Sequence, residues 1–99
     1  MPKKFLNLLG MARKANRLQL GYDKSLEAVH KGSAKIVFVA NDLSEKTKKG
    51  LCFAAEDKKI SVITVPYSIF DITNAVGSKT GIVAITDAGF AKSFLKLID

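Results

Sequence analysis

Gly21 is followed by Tyr22, Asp23, Lys24 and Ser25, and an apolar helical rhythm begins only after them. Residue types in this order suit a receptor for an anion or for the edge of a base. A glycine lets a ligand come close to the backbone. The first N–H groups of a helix starting at Tyr22 have no internal acceptors and carry partial positive charge, which makes the helix start a seat for phosphate. Lys24 adds a cation, and the Asp23 carboxylate, an acceptor only, suits guanine N–H groups. Asp23 and Ser25 are also ordinary first-turn residues favoured by the helix dipole.

Two further loops carry comparable chemistry. Asn41 and Asp42 follow an apolar run directly; an Asn amide both donates to and accepts from a base edge, and the pair also serves to turn the chain and cap the next helix. The third loop, 77–82, reads Gly-Ser-Lys-Thr-Gly-Ile. It lacks the adjacent Gly-Lys and the earlier glycine of a nucleotide-hydrolysing phosphate loop, and it leads into a strand rather than a helix, so that activity is rejected. Lys79, Thr80, Gly81 and Ile82 suit close approach to a nucleic-acid backbone.

These loops must be held by regular elements. Phe5, Leu8, Leu9, Ala12 and Ala15 recur at helical spacing behind Pro2, which predicts a helix over 2–16 with Arg13, Lys14 and Arg17 at its exposed end. Leu18 to Leu20 is a short extended piece, and Tyr22, Leu26 and Val29 with a stop at Gly32 predict a helix over 22–31. Lys35 to Ala40 is a buried strand. Asp42 and Glu45 head a third helix, with Thr47, Leu51, Ala54 and Ala55 inside and Lys46, Lys48 and Lys49 on a solvated face, ending near Asp57. Ile60 to Val65 is a strand; Ser68 and Asp71 have capping-box spacing for a short helix ending at Gly77; Gly81 to Thr86 is a strand; and Asp87 caps a last helix with Phe90, Phe94, Leu97 and Ile98 on one side. The alternation predicts a three-layer α/β/α sandwich around a small four-stranded mixed sheet, most of it parallel. In such sheets ligands gather at loops on one edge, and the three loops compete for that role.

Size and charge narrow the function. The 99 residues make one domain, 1–99, with one core. No apolar run approaches the roughly 20 residues of a membrane span, and no cleavage-like signal follows the N-terminus, so a cytoplasmic protein without a membrane partner is expected. Cys52 is the only cysteine and His30 the only histidine. That rules out an intramolecular disulfide and a cysteine-rich zinc site, and no metal, cofactor or catalytic dyad is expected; a buried Cys52 and a solvated His30 are the plain reading. The net charge is +7, and residues 1–50 hold eleven Lys/Arg against four Asp/Glu while 51–99 hold five against five. A basic surface confined to part of a small domain favours a polyanionic partner, because lysines near phosphates release counterions.

The stretch LGYDKSLEAVHKGSAKIVFVAND, residues 20–42, resembles the signature of the kink-turn-binding ribosomal proteins of the L-seven-Ae and L-thirty-e family. The likeness continues through VITVPYSIFDITNAVGSKTGIVAIT, and FLNLLGMARKANRLQLG with TDAGFAKSFLKLID makes the chain most similar to the small bacterial YlxQ-like branch. The resemblance covers essentially the whole chain. It implies an α/β/α sandwich that binds the kink-turn, an RNA bend built on tandem sheared G·A pairs, with no cofactor and no catalysis. It places Gly21, Tyr22, Asp23, Lys24 and Ser25 at the first RNA-contacting segment, Asn41 and Asp42 at the second, and Lys79, Thr80, Gly81 and Ile82 at the loop whose apolar residues cover a flipped-out nucleotide.

Two departures from that pattern stand out. Much of the family has Gly-Asn-Glu where this chain has Gly21-Tyr22-Asp23, and the Gly-Tyr pairing of the L-thirty-e branch is followed there by a Lys. A family lysine one turn into the helix is replaced by Leu26, for which Lys24 or Lys79 is the candidate substitute. The expected partner is structured RNA, ribosomal RNA included, with ribosomal proteins as possible neighbours and the chain itself a monomer. The rival expectation is a protein-interaction module docking on ribosomal or acidic protein surfaces without kink-turn specificity.

Overall fold

The computed structural model describes residues 3–98. Its elements are α1 (Lys4–Lys14), β1 (Leu18–Leu20), α2 (Tyr22–Lys31), β2 (Ile36–Val39), α3 (Glu45–Asp57), β3 (Val62–Thr64), α4 (Ile69–Val76), β4 (Ile82–Ile85) and α5 (Ala88–Ile98). The helix expected over 2–16 is shorter because Asn16 takes a φ of +57° and turns the chain out of the helix; Pro2 lies outside the described residues. α2 has the predicted limits, and Gly32 and Gly77 close α2 and α4 in the left-handed conformation.

The sheet order is β1-β4-β2-β3. β1, β2 and β3 run the same way, but β4 is inserted between β1 and β2 in the opposite sense, so only the β2–β3 pairing is parallel. The expectation of a mostly parallel sheet is corrected at that strand. The C-terminal ends of β1, β2 and β3 and the N-terminal end of β4 therefore emerge at one edge.

Side chains alternate across the buried strands with period two. Phe38, Val83 and Ile85 face α1, α4 and α5, while Val37, Val39 and Ala84 face α2 and α3. The three-layer sandwich is therefore as predicted. On the first side Phe5 sits edge-on to Phe38 at 4.9 Å and stacks on Tyr67 at 5.6 Å, and Phe94 closes the group at 5.2 Å from Phe5. Edge-to-face and offset rings hold such a cluster in one arrangement.

Caps fix the helix starts. Ser44 Oγ accepts from Thr47 N at 3.2 Å, and Asp87 Oδ2 accepts from Phe90 N at 2.9 Å as predicted. The capping box at α4 is complete: Ser68 Oγ accepts from Asp71 N and Asp71 Oδ2 accepts from Ser68 N, both at 3.1 Å. Replacing Ser68 with alanine is expected to cost about 1 kcal/mol, read as a lower urea midpoint with an unchanged slope. No helix among the described residues is long and apolar enough to cross a membrane.

Candidate nucleic-acid interface

The edge where the strands end is stitched together by backbone bonds. Gly21 N donates to Ile82 O at 3.0 Å, Ala40 N to Gly81 O at 2.8 Å and Asn41 N to Tyr67 O at 2.9 Å. The three loops singled out in the sequence are thus brought together, and a fourth segment joins them: the start of α4 from Tyr67 to Phe70. Tyr67 links this edge to the core, because its ring stacks on Phe5 while its carbonyl holds Asn41.

Gly21 stands at the N-cap of α2 with φ 87° and ψ 172°, a conformation that a side chain would strain. No side chain caps the helix, and the first intrahelical bond is Ser25 N to Gly21 O at 3.1 Å. The N–H groups of Tyr22, Asp23 and Lys24 therefore point outward at the positive end of the helix dipole. Asp23 and Lys24 are exposed beside them. Further along α2, Lys31 and Glu27 pair at 2.8 Å on the surface. The hydrogen bond from Lys31, then its charge, and more weakly the charge of Lys24, hold the Glu27 carboxyl below its ordinary range. Lys31 is thus engaged with Glu27, and Lys24 is the lysine of the helix's first turn.

Asp42 does something other than expected. Its Oδ1 accepts from Ile69 N at 2.8 Å, so it caps α4 across the edge, and Ser44 caps α3 instead. The start of α4 is therefore filled by two carboxylates, Asp42 and Asp71, in contrast to the open start of α2. Phe70 stands next to this bond and is 71% exposed. Sequence reasoning missed it; the available signal was a phenylalanine off the buried stripe of Ile72 and Val76.

Four expected contact residues are placed inside the fold. Ser25 is fully buried and its Oγ donates to Gln19 O. Thr80 is buried, with its Oγ1 donating to Ile82 O at 2.9 Å and its N–H donating to Thr73 Oγ1 at 3.1 Å. Gly81 is enclosed, and Ile82 belongs to the core between the sheet and α2 and α3. Buried in this way, Ser25, Thr80 and Ile82 hold the loops in place through internal bonds and packing, and Gly81 does so through its backbone. Asn41 and Lys79 remain exposed. The backbone of Arg17 lies at the opposite end of the sheet, where Arg17 O accepts from Thr86 N beyond the C-terminal end of β4, whereas Lys14, exposed like Arg13 near the end of α1, lines a cleft against α4 with Asp71 and Asn74.

The arrangement offers outward N–H groups and a lysine for phosphate, free carboxylate and amide groups for base edges, and an exposed ring for stacking. No group of three or more His, Cys, Asp or Glu stands close enough to hold a metal ion among the described residues. Cys52 is half-buried rather than buried.

Comparison with known proteins identifies the family. The RNA-binding protein YlxQ of Enterococcus faecium is 39% identical over 101 residues, spanning 98% of this chain and 93% of its own. The protein of the same name from Bacillus subtilis (strain 168) is 30% identical over 97 residues, spanning 93% and 92%. A solved protein of unknown function from Bacillus halodurans superposes with a TM-score of 0.91 at 30% identity, covering 99% of both chains. A model of the family described as ribosomal protein L7Ae/L30e/S12e/Gadd45 matches residues 3–95, and the chain belongs to that family.

Proposed function

We propose that residues 1–99 act as a single, non-catalytic RNA-binding domain that recognises a kink-turn or a similarly bent structured RNA, as a cytoplasmic monomer in or near ribosomal RNA. The observation that carries this reading is the meeting, at one edge, of the uncapped α2 start with the Asn41–Asp42 loop and the exposed Phe70. The relatives named as RNA-binding proteins over nearly the whole chain support it.

A-form RNA is read through its shape and its irregular, unstacked elements, which is what a bend supplies. Phosphates sit on the N–H groups of Tyr22 to Lys24 and on Lys24, with Lys79 as a second cation. Asp23 accepts from guanine N–H groups, and Asn41 reads a neighbouring base edge. Phe70 covers an unstacked base in place of the buried Ile82, because the carboxylates that cap α4 repel phosphate there but not the face of a base.

Electrophoretic titration against a kink-turn RNA and an uninterrupted duplex of equal length tests this directly. Tighter binding of the kink-turn is expected, and equal affinity would instead favour a module that docks on protein surfaces. In the same assay Lys24→Ala should weaken both RNAs a few-fold and reduce the salt slope by about 1. A slope identical to that of the unmodified protein would remove Lys24 from the phosphate contacts.

A further inference from the structure

α2 and α3 pack side by side and leave an open groove of about 670 Å³ between them on the outer surface. Tyr22, Leu26, His30, Phe53 and Ala54 line it, and Glu56 and Asp57 stand at its far end. Phe53 is 82% exposed, more than any other large hydrophobic among the described residues. It lies off the buried stripe of Leu51, Ala54 and Ala55, so the fold does not use it. Tyr22, Leu26, Phe53 and Ala54 together form one apolar strip rimmed by charge, which a partner's apolar side chains would bury. Gly50 shapes the near end: a Cβ there would stand 2.6 Å from Tyr22 Oη, so bare backbone is what lets the tyrosine lie down against α3.

Charge identifies the occupant. The chain has 16 Lys and Arg against 9 Asp and Glu, yet no Lys or Arg lines this groove and two carboxylates do. A strip for RNA would gather cations. An apolar trough between two helices, acidic at one end, fits a third helix that lays its apolar stripe into the trough and sets Lys or Arg against the carboxylates. We infer that the α2/α3 groove is a docking site for a basic amphipathic helix of another protein, anchored on Phe53 and oriented by Glu56 and Asp57. The groove meets the RNA edge only at Tyr22 and Leu26, and its anchor Phe53 and the carboxylates Glu56 and Asp57 lie on α3 away from that edge, so they can be changed without touching the residues assigned to RNA.

The test uses the full chain, labelled with nitrogen-15, and two synthetic peptides of about 15 residues. Both carry leucine at helical spacing; the remaining positions are lysine in one and glutamate in the other. The net charge of +7 favours the glutamate peptide over the surface as a whole, so preference for the lysine peptide must come from the groove. The lysine peptide is expected to shift the amide signals of Leu26, His30, Phe53 and Asp57, and the glutamate peptide to leave them in place. Phe53→Ser, and Glu56→Gln with Asp57→Asn, should each weaken the lysine peptide about tenfold, with kink-turn RNA affinity within about twofold of the unmodified protein. Equal response to both peptides, shifts confined to other faces, or unchanged binding by Phe53→Ser would overturn the inference. Shifts of these amides on raising the protein concentration alone would assign the groove to a second copy, and shifts on adding kink-turn RNA would assign it to RNA.

Discussion

Asp23→Ala is expected to lower affinity for kink-turn RNA by roughly tenfold to a hundredfold, and to leave an uninterrupted duplex bound within about twofold. The size follows from losing a charged acceptor to base N–H groups, worth about 1–3 kcal/mol. The residue is exposed, and no intramolecular bond among the described residues uses its carboxylate, so truncation removes a ligand contact without opening the fold. Its loss at the helix start costs only a few tenths of a kcal/mol of dipole interaction, roughly. Asn41→Ala is a second clean probe, because Asn41 is tied to the scaffold by its backbone N–H to Tyr67 O, which alanine keeps. Asp42→Ala is not clean: it strips the cap from Ile69 N and loosens the start of α4. The pattern to look for in the titrations is therefore selective loss with Asp23→Ala and Asn41→Ala at unchanged thermal stability. If Asp23→Ala binds the kink-turn as tightly as the unmodified protein, base readout by that carboxylate is wrong.

The element order and the two-sided core were legible because helices and strands here carry strong periodicity: α2 runs over the predicted span, and the β2 and β4 runs are buried on both faces. Pairing was not legible. Whether β4 enters the sheet parallel or antiparallel is settled by contacts between residues far apart in the chain, for which local patterns carry no signal. Asp42 shows the same limit at one side chain. Three residues before Glu45 it has the spacing of a cap for the next helix, yet it bonds Ile69, 27 positions away. Ser25, Thr80 and Ile82 stand in loops whose composition suits surface chemistry, and only the packing turns them inward. Phe53 and Phe70 are the converse, apolar residues outside the buried stripes of their helices.

Gly81→Val tests whether the four segments of the edge behave as one structure. A Cβ at Gly81 would stand 2.7 Å from Ile69 Cγ1 and 3.4 Å from Ala40 Cβ. The loop cannot retreat, because Thr80 is bonded to Thr73 on one side, and on the other Ile82 is paired with Val39 and receives Gly21 N. Ile69 must move instead, and with it the Asp42 bond and Phe70. Overpacking of this kind costs about 1–3 kcal/mol, seen as a lower denaturant midpoint. Under conditions where the variant is fully folded, kink-turn affinity should still fall by at least tenfold, because the Phe70 ring and, through the Asp42 bond, the loop that carries Asn41 are displaced together; a folded variant with native affinity would detach the start of α4 from the RNA surface. Ile69→Ala removes the clashing atom, so the double variant should recover stability relative to the sum of the single changes, the non-additivity expected of residues in contact. Affinity that recovers along with stability places the fault in the position of α4, whereas stability alone recovering places it in the Ile69 side chain itself.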